Sequence, residues 1–125
     1  GQPIEICHYP GDDLPSSFHL GIRNEKGQVI CNGTFVQQPH EFFKEAIHPY
    51  RLRGMATDTV FQNQGLGSIV IHKALHILKE KKCDLFWFNA RTSAEKFYSK
   101  LGFEVIGDIF DIPLAGPHKV MYKWL

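Results

Sequence analysis

The run Phe61-Gln62-Asn63-Gln64-Gly65-Leu66-Gly67-Ser68 sets two glycines one residue apart, between an apolar strand-like stretch and a long amphipathic helix. A Gly-x-Gly turn entering a helix presents backbone N–H groups with no side chain in the way. The helix dipole adds partial positive charge at the same point, so phosphate binds there without a lysine. Glycine pairs also occur as plain turns, and the flanking residues must decide. No Gly-Lys-Ser/Thr follows, which excludes a P-loop. No Gly-x-Gly-x-x-Gly with a downstream acid is present either, which excludes a dinucleotide-binding turn.

The elements that must position this turn can be read from apolar spacing. Ile4–His8 alternates as a short edge strand, and Tyr9–Pro15 is dense in turn formers and reads as loop. Phe18–Arg23 and Val29–Gln37 read as strands joined by a hairpin turn at Asn24–Gly27. Pro39–His48 holds a short helix or an irregular loop, and Tyr50–Thr57 is strand-like. Leu66–Lys82 is the clearest helix, with Leu66, Ile69, Val70, Ala74, Ile77 and Leu78 on helical spacing and lysines at its end. Asp84–Asn89 carries the continuous apolar run Leu85-Phe86-Trp87-Phe88 of a strand buried on both faces. Ser93–Leu101 reads as a second helix with Ser93 as N-cap and Gly102 as its stop. Phe103–Ile106 and Val120–Trp124 close the pattern around a loop at Ile112–Pro117. The order β-β-β-β-α-β-α-β-β puts the glycine turn at the carboxyl end of a central strand, ahead of a right-handed parallel crossover.

Composition removes several function classes. The chain of 125 residues reads as one domain, 1–125, and its 43% hydrophobic and 22% charged content is ordinary for a globular protein. A net charge of +1 supplies no field for nucleic acid or an anionic membrane. Cys7, Cys31 and Cys83 are odd in number and widely spaced, so neither a zinc site nor a disulfide framework is expected; they read as reduced thiols of a cytoplasmic protein. No metal is expected. The chain opens on Gly1 without methionine, and a native start upstream is expected.

With these residues in view, Leu52–Asp58 followed by Gln62-Asn63-Gln64-Gly65-Leu66-Gly67 resembles the acetyl-CoA-binding motif of the GNAT N-acetyltransferase superfamily, Gln/Arg-x-x-Gly-x-Gly/Ala. Ala94-Glu95-Lys96-Phe97-Tyr98-Ser99-Lys100-Leu101-Gly102-Phe103 is similar to that family's second signature. The two together span most of Leu52–Gly107. Gly116–Met121 and Asn89-Ala90-Arg91 further resemble a small group of acyltransferases in the superfamily whose substrates are unassigned. Two departures stand out: Gln62, Asn63 and Gln64 replace the usual charged and small residues, and the N-terminal helical region is reduced to the Pro10–Ser17 loop.

The resemblance implies an α+β (mixed α/β) fold around a GNAT-like mixed sheet of six or seven strands. Its N-terminal part would be antiparallel, with one parallel strand–helix–strand crossover and helices on both faces. It implies an acyltransferase that moves acetyl from acetyl-CoA to a primary amine of a small molecule or peptide, as a monomer or homodimer. Backbone groups of Met55, Ala56 and Thr57 would pair with pantetheine, and a backbone N–H on that strand would stabilise the oxyanion. Gln62, Asn63, Gln64, Gly65, Leu66, Gly67 and Ser68 would hold pyrophosphate, with Asn89, Ala94 and Phe97 beside the cofactor. Tyr98 would act as general acid toward the departing thiolate.

The base is open between His118, which follows Gly116-Pro117 in a loop and titrates near neutrality, the residues His40, Glu41 and Glu45, and a water relay. Structural roles stand beside each reading: a helix-entry turn for Gly65 and Gly67, a packing ring for Tyr98 and His118, and backbone satisfaction for Asn89. Arg51, Arg53 and Arg91 are either anion-binding or solvated, and Phe86, Trp87, Phe88, Phe97 and Phe103 read first as core. The alternative function is a non-catalytic acyl-CoA-binding sensor or regulatory protein. A nucleic-acid-binding module is disfavoured because no basic stripe appears.

Overall fold

Phe18, Leu20 and Ile22 alternate with His19, Gly21 and Arg23, and the alternation becomes a strand with one face in the core and the other outward. The computed structural model describes residues 5–10, 17–57 and 65–125, the side chains at 9, 10 and 54–57 lying outside that description. Its strands are β1 (Glu5–Pro10), β2 (Phe18–Arg23), β3 (Val29–Gln37), β4 (Pro49–Thr57), β5 (Leu85–Arg91), β6 (Glu104–Ile112) and β7 (Gly116–Trp124). They form one seven-stranded sheet in the order β1-β2-β3-β4-β5-β7-β6. All neighbours are antiparallel except β4 and β5. The helices are α1 (Leu66–Glu80) and α2 (Glu95–Lys100), the latter preceded by a 3₁₀ turn at Thr92–Ala94. The expected mixed α+β sheet is present, with its antiparallel N-terminal half and parallel central pair.

The two sheet faces bury different clusters. On one face, Val70, Ile71, Ala74 and Leu78 of α1 pack with Phe18, Leu20, Phe35, Leu52, Phe86 and Phe88. Tyr98 of α2 and Leu101, the residue that caps it, pack against the same cluster. On the other face, Phe43 covers Leu85, Trp87 and Val120. Both helices therefore share one face, which corrects the expectation of helices on both. The cause is topological. Because β7 is antiparallel to both β5 and β6, the connection β5–α2–β6 is itself a parallel crossover. It advances along the sheet in the same direction as β4–α1–β5, and two right-handed crossovers advancing one way put their helices on one side. The loop face is covered instead by the segment 38–48, folded in turns in which Phe43 N–H donates to His40 O and Ala46 N–H to Phe43 O. Asp84 pins that segment to β5, its carboxylate accepting from Ile47 N–H at 2.7 Å and His48 N–H at 2.9 Å.

Several element ends differ from the sequence reading. Tyr9 and Pro10 continue β1 rather than opening a loop, as an edge strand tolerates proline. The second helix begins at Glu95, and Ser93 lies inside the 3₁₀ turn without capping it. β6 and β7 extend to a turn at 113–115, so Pro117 and His118 belong to a strand and not a loop. Phe97 is 39% exposed and leaves the core cluster in which it was expected.

The helix ends are set by backbone chemistry. At the end of α2, Gly102 (φ 94°) lets its own N–H reach Ser99 O and Phe103 N–H reach Tyr98 O, a paired cap that only a left-handed residue permits. The end of α1 repeats it with Lys82 at φ 62°, donating to Lys79 O, while Cys83 N–H donates to Leu78 O. A side chain there is strained. Lys82→Gly is expected to stabilise the fold by about 0.5–1 kcal/mol, read as a higher urea midpoint at unchanged slope.

Candidate active site

The parallel pair at the sheet's centre is short. β4 and β5 pair only at Pro49↔Leu85, Tyr50↔Phe86 and Arg51↔Trp87. Beyond these positions β4 runs on to Thr57 alongside β3, and β5 runs on to Arg91 alongside β7, but not alongside each other. A gap thus opens toward the carboxyl ends of both strands. Its start coincides with a bulge: Phe35 pairs Leu52 and the next residue back, Thr34, pairs Gly54, so Arg53 is the extra residue in β4. Bulges bend and over-twist the strand that carries them, which turns β4 away from β5. At the fork, the Arg51 guanidinium lies 5.1 Å from the Trp87 ring centre, and Trp87 Nε1–H donates to Gln38 O at 2.9 Å.

At the amino end of α1, Gly65 is the cap residue in the left-handed region (φ 75°). A Cβ placed on it would meet nothing within 4 Å, so glycine is required by backbone conformation and not by crowding. The helix's own hydrogen bonding begins with Ile69 N–H to Gly65 O at 3.2 Å. Among the described residues, that leaves the amides of Leu66, Gly67 and Ser68 outside the ladder, with no acidic residue in the first turn to occupy them. Gln62, Asn63 and Gln64, and the side chains of Met55, Ala56 and Thr57, lie outside the described residues; the backbone of 55–57 is the free-running end of β4.

Tyr98 approaches the gap from the helix face. Its ring centre lies 4.4 Å from that of Phe88 and 6.2 Å from that of Phe103. Burial raises its pKa, with the Cys31 thiol adding to the effect, so the phenol holds its proton. Ala94 ends the 3₁₀ turn ahead of α2, and the Phe97 ring meets Tyr98 edge-on.

His118 is on the loop face. Along β7 it alternates with Lys119, which reaches across the helix face to Glu95 at 2.6 Å. His118 is 5% exposed, with its ring 6.2 Å from that of Phe110. Its Nδ1 lies 2.8 Å from Gly116 O, and a carbonyl can only accept, so in the neutral ring Nε2 keeps its lone pair. His40 shows the opposite arrangement: Phe42 N–H donates to His40 Nδ1 at 3.0 Å, which leaves the ring proton on Nε2. Burial lowers the pKa of His40, opposed by Glu41 and reinforced by Arg51. Asn89, on β5 past its last pairing with β4, faces the same side as Trp87 and Val120. Tyr98 and His118, both singled out from sequence, therefore stand on opposite faces of the sheet, His118 on β7 with β5 between it and the gap. Among the described residues, no group of three or more His, Cys, Asp or Glu side chains is arranged to hold a metal ion, and no helix is long and apolar enough to cross a membrane.

Sequence reasoning missed the Arg51–Trp87 contact at the fork and a hollow on the loop face beside Asn89. The signal for the hollow was Gly107 within an otherwise alternating strand.

A splayed parallel pair, a glycine-capped helix after the first strand and a second helix after the second are the features that can be compared with known folds. Residues 16–105 match the family model described as the acetyltransferase (GNAT) domain, and the chain belongs to that family. The Uncharacterized N-acetyltransferase YitI of Bacillus subtilis (strain 168) is 43% identical over 124 residues, spanning 99% of this chain and 82% of that protein. Among solved structures, an IAA acetyltransferase from Bacillus cereus ATCC 14579 superposes with a TM-score of 0.78 at 12% identity, covering 98% of this chain and 100% of its own. A second acetyltransferase from the same organism gives 0.71 at 23% identity, covering 99% and 76%. These two likenesses speak to the fold.

Proposed function

We propose that this chain transfers acetyl from acetyl-CoA to a primary amine by direct attack in a ternary complex. The observation that carries the reading is the gap between β4 and β5, flanked by the open amides of α1 and by Tyr98. Acetyl-CoA supplies an activated acyl group with a thiol as leaving group. Gly65 and the amides of Leu66, Gly67 and Ser68, with Gln62, Asn63 and Gln64, hold the pyrophosphate. Because no arginine or lysine stands among them, the hold is by backbone and dipole. The free edge of β4 at Met55, Ala56 and Thr57 pairs with pantetheine and offers an N–H to the acyl oxygen. Asn89, Ala94 and Phe97 flank the cofactor's path. Tyr98 gives its proton to the departing sulfur, which its raised pKa suits. The amine arrives from the loop face, and His118 Nε2 takes its proton. The tautomer at His118 favours it over His40, whose outer nitrogen is already protonated.

Calorimetry with acetyl-CoA, followed by thiol release across a panel of amines, tests the reading. Binding with turnover is expected. Binding without turnover on any amine would favour an acyl-CoA sensor, and absence of binding would sink both. Gly65→Ala is expected to weaken acetyl-CoA about tenfold by forcing the left-handed cap off its conformation, the amount corresponding to a strain of about 1–2 kcal/mol. Its Kd by calorimetry and its Tm separate loss of the cradle from loss of the fold.

A further inference from the structure

Beside Asn89 the loop face holds a hollow of about 420 Å³. Its floor is Asn89 and Val120, one wall carries His40, Glu41 and Phe42, and the facing wall carries Asp108 and Phe110. The second wall exists because β6 leaves its register with β7 between Ile106 and Phe110. Gly107, at φ 81°, arches the chain outward there. The walls meet at one end, where a Cβ on Gly107 would come within 2.9 Å of the Phe42 ring. Because Asn89 lies on β5 past its last pairing with β4, the hollow adjoins the gap from the side opposite Tyr98.

The chemistry of the lining is uneven. Val120 is buried and the Phe42 and Phe110 rings are apolar, while Glu41 and Asp108 are solvent-exposed carboxylates at the rim. No lysine or arginine lines the hollow among the described residues; of the loop-face cations, Arg51 lies over the Trp87 ring and Arg91 is exposed two residues beyond Asn89 at the end of β5. An open hollow with apolar rings, an amide on its floor and exposed carboxylates on facing walls matches a ligand that joins an apolar span to a cation.

We propose that this hollow is the acceptor subsite and that it takes diamines, a reacting primary amine at Asn89 joined by an apolar spacer to a second cationic group held by Glu41 and Asp108. The inference rests on the acetyltransferase reading above. In the step, the neutral amine forms a bond to the acyl carbon, the carbon–sulfur bond breaks, the amine's proton leaves to the base and the sulfur receives one from Tyr98. The second cation is unchanged.

The test compares the diamine cadaverine with pentylamine, a monoamine of equal chain length, in steady-state acetylation. A kcat/KM for cadaverine about tenfold above that for pentylamine is expected, the amount two rim-exposed carboxylates together supply, and raised salt should shrink it. The ratio should fall to near one in Glu41→Gln/Asp108→Asn, an exposed double substitution. Equal kcat/KM for the two amines in the wild-type protein, or a preference that survives both the substitution and salt, would overturn the diamine subsite while leaving acetyl transfer standing. Absence of acetyl-CoA binding by calorimetry would overturn both.

Discussion

Tyr98→Phe is expected to lower kcat by about a hundredfold or more, the lower end of what a positioned acid contributes. The ring contacts survive the change, because the Phe88, Phe97 and Phe103 rings meet the tyrosine ring and not its hydroxyl. Tm and the Kd for acetyl-CoA should therefore stay near wild type, which isolates the proton from the packing. The pH profile gives a second readout. Burial and the Cys31 thiol raise the Tyr98 pKa, so the donor form persists through neutral pH and is lost only above the ordinary tyrosine range. Wild-type activity should carry an alkaline limb there that the variant lacks. Turnover left intact in Tyr98→Phe would remove the residue from the acid role.

The second large effect is structural. Phe86→Ala is expected to cost about 3–5 kcal/mol, by lost transfer energy plus the cavity left behind. Phe86 is fully buried in the centre of β5, with its ring 5.9 Å from Phe35 and 5.7 Å from both Phe88 and Phe103. It also stands at the middle of the three paired positions that join β4 to β5. Truncating it loosens the cluster beneath α1 and the joint between the sheet's halves together. For a chain of this size the loss corresponds to a fall in Tm of roughly 10–20 °C. Phe86→Leu, which keeps most of the volume, should lose about 1–2 kcal/mol. A Tm for Phe86→Ala within a few degrees of wild type would show that the aromatic cluster can collapse into the space.

The order of elements and the glycine turn were legible because each is written locally. Apolar spacing marks α1, the run Leu85–Phe88 marks a doubly buried strand, and Gly102 marks the stop of α2. The joint signature around Gly65, Gly67 and Tyr98 led to the family, which the relatives support. What was not legible depends on pairing. That His118 sits in a strand follows from pairing with Phe110 across the β6–β7 hairpin and with Arg91 of β5, 27 residues earlier. The shared face of both helices follows from β7 inserting between β5 and β6, and no local pattern encodes an insertion. The hollow beside Asn89 needs the 38–48 segment folded back over the sheet and a register slip in β6, two non-local events that meet only in three dimensions.

The short pairing of β4 with β5 also bears on how the molecule holds together. β1–β4 and β5–β7 are each antiparallel ladders interrupted by register shifts, while only three paired positions stitch one to the other. The backbone edges facing the gap are thus the interior counterpart of the outer sheet edges at β1 and β6, polar and unladdered. An extended amide-bearing ligand lying there would serve as a surrogate strand. The sheet would be whole only when loaded, and its two halves would share one cooperative unit through a molecule that is not part of the chain.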